Sequence, residues 1–327
     1  MREVRIPAYA KINLRLDILG KRSDGYHELR TIFQTISLHD ELRLRKSRRP
    51  GISLTVYGND LLAQEPVGKN LVYRAIDTLR HELRIRNGVE IELHKKIPAS
   101  AGLGGGSSDA AAALLGFLRL TGKKLPQSRL IEIAAALGAD VPFFLFGGRA
   151  LGVNRGDEIY PLPDVSLRPF VVVAPRGIRV PTADAFRWVR APSLTVTRAR
   201  SSSTAARSPS RPQLTKSSST SKLFKFCALC WSTQESGFSN DFESPVFQRY
   251  PRLALIKRDL LRRGATEASL AGSGSAVFGV FPSPAMARRA AVGFPHDHTF
   301  VCETVSRDRY VRALGSASVG LAVASKR

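Results

Sequence analysis

The run Pro98-Ala-Ser-Ala-Gly-Leu-Gly-Gly-Gly-Ser-Ser-Asp109 decides the fold. It follows the alternating, strand-like segment Val89–His94 and precedes the Ala-rich, helix-like segment Ala110–Leu118. Glycines and small side chains let backbone N–H groups approach a ligand closely, and the positive end of the following helix points at the loop. The run therefore predicts a phosphate-binding loop, with a flexible turn before a capped helix as the alternative.

The segments around this loop predict an α+β domain. Apolar and polar residues alternate in Ile12–Ile18 and Ile52–Val56, which is typical of strands, whereas Leu71–Leu83 and Leu130–Leu137 carry apolar residues at helical spacing. Several strands precede the helices, so a strictly alternating parallel sheet is not expected.

A second domain is predicted from about residue 166. The continuous apolar run Phe170–Ala174 fits a strand that is buried on both faces. Apolar residues recur at helical spacing in Pro251–Arg263, and Ala276–Phe281 is predicted to be a strand. The second half of the chain therefore also contains both helices and strands. We therefore divide the chain into residues 1–165 and 166–327.

Composition agrees with two domains but leaves the partner open. The chain has 327 residues, 43 % of them hydrophobic, and 50 Lys and Arg against 27 Asp and Glu, for a net charge of +23. These values exclude a chain that is disordered throughout. The positive charge allows a nucleic-acid binder, an enzyme for anionic substrates, or a generally basic surface.

The cytoplasm is the expected location. Three cysteines do not make a disulfide framework, the first residues lack the apolar stretch of a secretory signal, and no apolar run approaches the roughly 18–20 residues of a membrane span.

Familiar signatures of other nucleotide and metal sites are missing from the sequence. It contains no Gly-x-x-x-x-Gly-Lys-Ser/Thr loop and no complete Gly-x-Gly-x-x-Gly after a strand. It also lacks His-Glu-x-x-His and paired Cys-x-x-Cys motifs. The glycine loop is thus of another class.

Several motifs resemble one family in the same order along the chain. The glycine loop resembles the central phosphate-binding motif of the GHMP kinases. Five further runs resemble one branch more closely, the kinases of 4-diphosphocytidyl-2-C-methyl-D-erythritol: Ala8-Tyr-Ala-Lys-Ile-Asn-Leu14, Arg22-Ser-Asp-Gly-Tyr-His27, Gly138-Ala-Asp-Val-Pro-Phe-Phe144, Asn240-Asp-Phe-Glu243, and Leu270-Ala-Gly-Ser-Gly-Ser-Ala-Val-Phe278. The resemblance covers about residues 3–190 and 238–305.

The resemblance implies a fold and an ATP site. The fold is α+β, with an N-terminal domain of the ribosomal protein S5 domain 2-like kind, a ferredoxin-like C-terminal domain and the active site between them. The implied activity is ATP-dependent phosphorylation of the substrate's 2-hydroxyl, with Mg²⁺ as the expected cation. The implied ATP-binding residues are Pro98, Ala99, Ser100, Ala101, Gly102, Leu103, Gly104, Gly105, Gly106, Ser107 and Ser108.

Lys11 and Asp140 are the candidate catalytic residues. Phosphoryl transfer requires an oriented hydroxyl and neutralised charge more than covalent help. Asp140 is the best candidate to accept the hydroxyl proton, and Lys11 beside it would keep that carboxylate ionised. A snorkelling strand lysine and an ordinary turn aspartate are the structural alternatives.

Four further residues match substrate positions of the family, namely Asn13, Tyr26, His27 and Thr182. Tyr26 and His27 have the chemistry to stack on a cytosine ring and to form hydrogen bonds with it. A partly buried aromatic pair without ligand is the alternative. Asn240 and Asp241 fit either a helix N-cap or a substrate-side role.

The sequence departs from the family between Trp188 and Phe238. Residues 193–236 are rich in Ser and Arg, show no apolar period and include Cys227 and Cys230, whose isolated spacing is weak support for a redox or zinc site. A restored reading-frame slip is one hypothesis for this segment and a disordered insertion is the other.

The expected partner is a small molecule, without nucleic acid or membrane, for a chain that is a monomer or weak homodimer. Other GHMP kinases that phosphorylate homoserine or mevalonate are the main alternative. A basic RNA-binding module is a second one, although it requires a clustered basic face.

Overall fold

The computed structural model of this protein describes residues 3–166, 168–189 and 237–315. The described residues form two β-sheets with helices packed against them. The strands are β1 (Glu3–Lys21), β2 (His27–Ser47), β3 (Ile52–Tyr57), β4 (Gly88–His94), β5 (Arg149–Val153), β6 (Glu158–Pro161), β7 (Pro169–Ala174), β8 (Ser239–Asn240), β9 (Glu267–Leu270), β10 (Val277–Val280) and β11 (His298–Glu303).

The helices mostly match the segments whose spacing predicted them. They are α1 (Asp60–Gln64), α2 (Leu71–Glu82), α3 (Gly105–Thr121), α4 (Gln127–Leu137), α5 (Phe143–Phe146), α6 (Thr182–Trp188), α7 (Glu243–Arg249), α8 (Pro251–Arg262), α9 (Pro284–Ala291) and α10 (Arg307–Leu314). No helix in the described ranges is both long and apolar enough to span a bilayer.

The first sheet is built on the long antiparallel pair β1 and β2. Its strand order is β3-β4-β2-β1-β8, with β5 pairing to β2 and β6 pairing to β5. Alternation in β1 turns Val4, Ile6 and Ala8 toward a core that is covered by α2, α3 and α5. The alanines of α3 are fully buried there, because small side chains let the helix lie close to the sheet.

The second sheet has the ferredoxin-like arrangement that the resemblance implied. Its order is β11-β7-β10-β9 and all its pairs are antiparallel. The central strand β7 carries Phe170–Ala174, which is buried on both faces as its continuous apolar run predicted. Helices α8 and α9 bury apolar stripes on one side of this sheet.

The two sheets are joined through a shared core. Ile12 and Ile36 of the first sheet pack in one cluster with Val172 and Phe278 of the second. Ile36 also bridges to Thr304, which follows β11. The predicted boundary at residues 165 and 166 falls between β6 and β7.

Two segments of the second half return to the first sheet. Strand β8 pairs in parallel with Arg15 and Leu16 of β1. Helix α10 packs on the first core, where the Tyr310 hydroxyl donates a hydrogen bond of 2.6 Å to the Phe144 carbonyl. The pairing of β8 with β1 and the packing of α10 on the first core therefore tie the second half of the chain to the first sheet.

Candidate active site

One cavity of about 620 Å³ lies where the two sheets meet. The glycine loop forms one wall, and residues of β1, β2, the start of α2, the turn before α5, helix α6 and the loop after β9 also line the cavity. Among the predicted residues, Lys11, Asn13, Thr182, Asp140 and the loop from Pro98 to Ser107 line it. We call this cavity the cleft.

The glycine loop presents free backbone donors at the start of α3. Gly104 is the N-cap, in a left-handed conformation with φ of 72°, and no side chain caps the helix. The first N–H groups of a helix have no acceptor within it, so Gly105, Gly106 and Ser107 can donate to an anion. The loop thus has N–H groups without a helical acceptor where the sequence predicts a phosphate site.

Close packing against a second glycine loop fixes the first. A Cβ atom at Gly102, where φ is 77°, would lie 1.8 Å from the Ala271 carbonyl oxygen. The Ala276 N–H donates to the Ala101 carbonyl at 3.1 Å. The motif Gly272–Ser275 therefore supports the phosphate-binding loop from behind.

Lys11 and Asp140 come together in the cleft. Lys11 Nζ lies 3.4 Å from Asp140 Oδ2; the lysine side chain is 5 % exposed and the carboxylate 33 % exposed. Lys11 N–H also donates to the Leu103 carbonyl of the glycine loop at 3.0 Å. The buried cation thus lies between the loop and the carboxylate, which is partly open to a substrate.

A chain of hydrogen bonds orients the lysine. Lys11 Nζ donates to Asn13 Oδ1 at 2.8 Å, and Asn13 Nδ2 donates to Thr31 Oγ1 at 2.6 Å. The Thr31 hydroxyl donates in turn to the Arg15 carbonyl at 2.7 Å. Asn13 is buried, so its amide holds Lys11 as well as lining the cleft.

Thr182 and Ser273 connect α6 to the second glycine loop. The Ser273 hydroxyl donates to Thr182 Oγ1 at 3.1 Å, and both residues line the cleft. Asn240 has a supporting position instead: its amide donates to the carbonyl oxygens of Leu270 and Gly272 at 2.9 and 2.7 Å. Its Oδ1 accepts from the Phe242 N–H. Phe242 itself is the N-cap of α7 and no side chain caps this helix, so the N-cap interpretation of Asn240 is wrong.

Tyr26 and His27 lie beside the cleft and are not part of its lining. Tyr26 is 55 % exposed, with the Arg155 guanidinium 4.8 Å from the centre of its ring. His27 stacks on Phe186 with ring centres 5.0 Å apart. Tyr26 and His27 therefore contact Arg155 and Phe186, and it is these two residues that line the cleft.

Burial and the nearby Lys21 charge both lower the pKa of His27. The imidazole is consequently neutral near pH 7 and can offer one donor and one acceptor to a ring edge.

Sequence reasoning missed a buried charged cluster beneath the glycine loop. Lys95 Nζ donates to Asp109 Oδ2 at 2.6 Å and also to Asp40 Oδ2. Asp40 accepts further hydrogen bonds from the backbone of Lys96 and Ile97. All three side chains are at most 4 % exposed. A lysine just before a glycine loop is the one signal that could have pointed to this cluster.

Burial and mutual interaction shift the pKa values of Asp109 and Lys95 in this cluster. Burial is the main cause that raises the pKa of Asp109 to about 7, against the lowering by Lys95, and Asp40 adds to the rise. Burial alone would lower the pKa of Lys95, but the two carboxylates raise it overall. Asp109 Oδ1 is buried and has no hydrogen-bond partner among the described residues, so Asp109 is the carboxyl that takes up a proton first.

Further cleft residues were also missed. Phe186 and Phe242 meet edge to face with ring centres 4.9 Å apart, and both line the cleft. Asn70, which caps α2 by accepting from the Val72 N–H at 2.9 Å, lines the cleft beside the loop. In a sequence, aromatic residues and helix caps cannot be told from ordinary core and capping residues. Only the fold shows that these three residues line the cleft.

Within the ranges that the structure describes, no three His, Cys, Asp or Glu side chains form a group able to hold a metal ion. The segment 193–236, with Cys227 and Cys230 and both hypotheses on its origin, lies outside the described residues.

Two family descriptions match this sequence. "GHMP kinases N terminal domain" matches residues 70–148, and "GHMP kinases C terminal" matches residues 226–295. The first range contains the glycine loop and Asp140, and the second contains the loop Gly272–Ser275.

Curated relatives match most of the chain. A 4-diphosphocytidyl-2-C-methyl-D-erythritol kinase of Solibacter usitatus is 46 % identical over 314 residues, which cover 96 % of this chain and 92 % of the relative. The kinase with the same name in Geobacter sulfurreducens is 39 % identical over 298 residues, covering 89 % and 94 %.

Solved structures agree with these relatives. A crystal structure of 4-(cytidine 5'-diphospho)-2C-methyl-D-erythritol kinase superposes with a TM-score of 0.70 at 32 % identity and covers 92 % of this chain and 99 % of its own. A homoserine kinase from Cytophaga hutchinsonii reaches a TM-score of 0.63 at 20 % identity, covering 94 % and 95 %, and shares the fold.

Proposed function

Since the chain belongs to the GHMP kinases, in the branch of the 4-diphosphocytidyl-2-C-methyl-D-erythritol kinases, we propose that its cleft transfers the γ-phosphoryl group of ATP to the 2-hydroxyl of that substrate. The enzyme is a phosphotransferase that acts on an alcohol group. The observation that carries the residue assignments is the Lys11–Asp140 pair beside a glycine loop with free N–H groups.

The glycine loop and the start of α3 bind the phosphates of ATP. Their N–H groups are aligned before the ligand arrives, so little reorganisation is needed as negative charge shifts toward the leaving ADP. Ser100, in a left-handed conformation with φ of 55°, is the one non-glycine residue of the loop with positive φ. The surrounding packing maintains this strained conformation.

Asp140 accepts the proton of the 2-hydroxyl while the hydroxyl oxygen forms its bond to the γ-phosphorus. The bond between that phosphorus and the bridging oxygen of ADP breaks, and the electron pair leaves with ADP. Lys11, at 3.4 Å from the carboxylate, offsets charge on the transferring group. Asn13 keeps the lysine from turning away.

The aromatic end of the cleft receives the cytidyl group. Phe186 and Phe242 offer apolar surface there, and Thr182 and Ser273 offer hydroxyl groups between this end and the glycine loop. His27 and Tyr26 contribute from the rim, by supporting Phe186 and Arg155 and by reaching the edge of the ring once substrate is bound.

Mg²⁺ enters with ATP in this proposal. The described residues offer no cluster of three ligands, and Mg²⁺ commonly keeps phosphate oxygens and waters as ligands. We also propose a cytoplasmic monomer or weak homodimer, whose mass light scattering would measure.

A coupled ADP-release assay with the cytidyl substrate tests the catalytic assignment. Lys11→Ala and Asp140→Asn are each expected to lower kcat by about 10²–10⁴-fold, because each removes an interaction used in the transition state. The affinity for nucleotide should change little, since the glycine loop is left intact.

Matched controls are Lys46→Ala on β2 and Asp60→Asn on α1, which remove the same groups from exposed positions. Both should keep the parent rate. Comparable turnover of Lys11→Ala, Asp140→Asn and the parent enzyme would remove the assigned roles. The same assay with homoserine and mevalonate separates the substrate classes of the family.

A further inference from the structure

A second cavity lies on the reverse side of the glycine loop. It has a volume of about 520 Å³ and is bounded by the turn after β7, the start of β11 and the segment that leads into the loop. Pro98 and Ala99 line this cavity and the cleft alike. We call it the rear cavity, defined by Lys96, Arg176, Arg179, Pro98 and Ala99.

Positive charge collects at the rear cavity without a counter-charge. Lys96, Arg176 and Arg179 come from two separate segments and all line it, while no Asp or Glu does. None of these three side chains makes an ion pair or hydrogen bond with another described residue. The buried Lys95, which also lines the cavity, is already neutralised by its two carboxylates.

The carboxylate that contacts the Arg176 backbone is already paired. Asp297 accepts a hydrogen bond from the Arg176 backbone N–H at 3.2 Å and pairs with the Arg252 guanidinium at 2.7 Å. Asp297 therefore fixes the turn that carries Arg176 while its charge is balanced by Arg252. The Arg176 side chain stays available to a ligand.

This chemistry selects a compact polyanion. Like charges that share one cavity repel each other, and a bound anion relieves that repulsion. Guanidinium groups bind phosphate oxygens through two parallel hydrogen bonds, and a lysine adds a point charge. The volume lies in the range of small-molecule sites and exceeds what one inorganic phosphate fills.

We propose that the rear cavity is a second binding site, which takes a small molecule with two or more phosphate groups and acts on the cleft through the shared loop wall. Pro98 and Ala99 connect it to the nucleotide end of the cleft. Arg179 lies three residues before Thr182 and so connects the rear cavity to the substrate end of the cleft. Occupancy of the rear cavity therefore changes nucleotide affinity by altering the loop's freedom.

Inorganic pyrophosphate is the probe for this site. Calorimetry is carried out on the full chain saturated with a non-hydrolysable ATP analogue, without free divalent cations, so that the glycine loop is already filled. The parent protein should bind one pyrophosphate. Arg176→Ala/Arg179→Ala should bind it at least about 10-fold more weakly, a loss of about 1.4 kcal/mol.

Arg288→Ala/Arg289→Ala is the matched control. It removes the same charge from exposed positions on α9 and should bind pyrophosphate like the parent. Lys96→Ala provides an independent variant if the first double substitution lowers the melting temperature. A second arm measures the affinity for the ATP analogue with and without pyrophosphate, and expects a difference in the parent only.

Three outcomes would overturn the proposal. They are no binding to the parent with the analogue present, equal weakening in both double variants, and full competition with the analogue. Equal weakening would mean a response to total charge, and competition would mean binding at the glycine loop. Because the readout is binding rather than turnover, failure here leaves the assigned kinase activity intact.

Discussion

At the scale of single residues, the charge state of Asp109 makes stability depend on pH. Its carboxyl group is buried, and burial raises its pKa to about 7, whereas the unfolded chain has an ordinary carboxyl. Between about pH 4 and 7 the folded protein therefore holds a proton that the unfolded chain has released. The free energy of unfolding falls as pH rises through this window, by at most about 4 kcal/mol.

Asp109→Asn removes this dependence, because an amide cannot ionise. The variant's melting temperature, relative to the parent, should increase from pH 4 to pH 7 and stay constant above that. Urea unfolding at several pH values measures the same difference. Asp60→Asn, at an exposed position, should show no such trend; a pH-independent difference for Asp109→Asn would contradict the prediction.

Single residues could be predicted as site candidates from the sequence where they interrupt a hydrophobic pattern. Lys11 stands out because it interrupts an apolar strand, and its carboxylate partner lies in a matched motif. Asp40, Lys95 and Asp109 do not stand out, because isolated charged residues normally lie at the surface. Only the crossing of β2 and β4 with α3 buries them together.

At the scale of elements, the two glycine loops act as one unit. Gly102 has φ of 77°, and its Cβ position is filled by the Ala271 carbonyl. The backbone of the second loop cannot yield as a flexible side chain would. Gly106 is different, since the nearest atom to a Cβ there is Leu71 Cδ1 at 3.8 Å.

Gly102→Ala should therefore destabilise the protein by at least about 2 kcal/mol, whereas Gly106→Ala should not. Alanine near the start of a helix is expected to be neutral or slightly stabilising for the fold. Differential scanning calorimetry of both variants without ligand compares them. Equal melting temperatures would show that the loops do not depend on each other's backbone.

Element positions were predictable from periodicity, but pairing between distant elements was not. The spacing in Leu71–Leu83 and the run Phe170–Ala174 led directly to α2 and β7. The strand β8 has two residues and is too short to show an apolar period. It forms because the Asn240 side chain is held by hydrogen bonds to the carbonyl oxygens of Leu270 and Gly272.

At the scale of the whole molecule, the shared core joins the two sheets into one cooperative unit. Ile36 is fully buried between them, and backbone hydrogen bonds link Thr35 to Val305 at 2.9 Å. Separate unfolding of either sheet would expose this apolar surface. A single thermal transition is the expected result.

Ile36→Ala should lower that transition as a whole, with a loss of about 2–5 kcal/mol in the free energy of unfolding. Val301→Ala, at a position that is 43 % exposed on β11, is the control and should have a small effect. Calorimetry and circular dichroism should report the same midpoint for each variant. Two separated transitions, of which only one moves, would show that the sheets unfold independently.

Helix α10 carries a consequence for biosynthesis. Tyr310 occupies the space beside Gly147 and completes the core that the first hundred and fifty residues begin to build. A ribosome adds residues at roughly 5–20 per second from the N-terminus, so the emerging first half waits roughly 10–30 seconds for α10. During that delay its unfinished apolar surface is a natural target for chaperones.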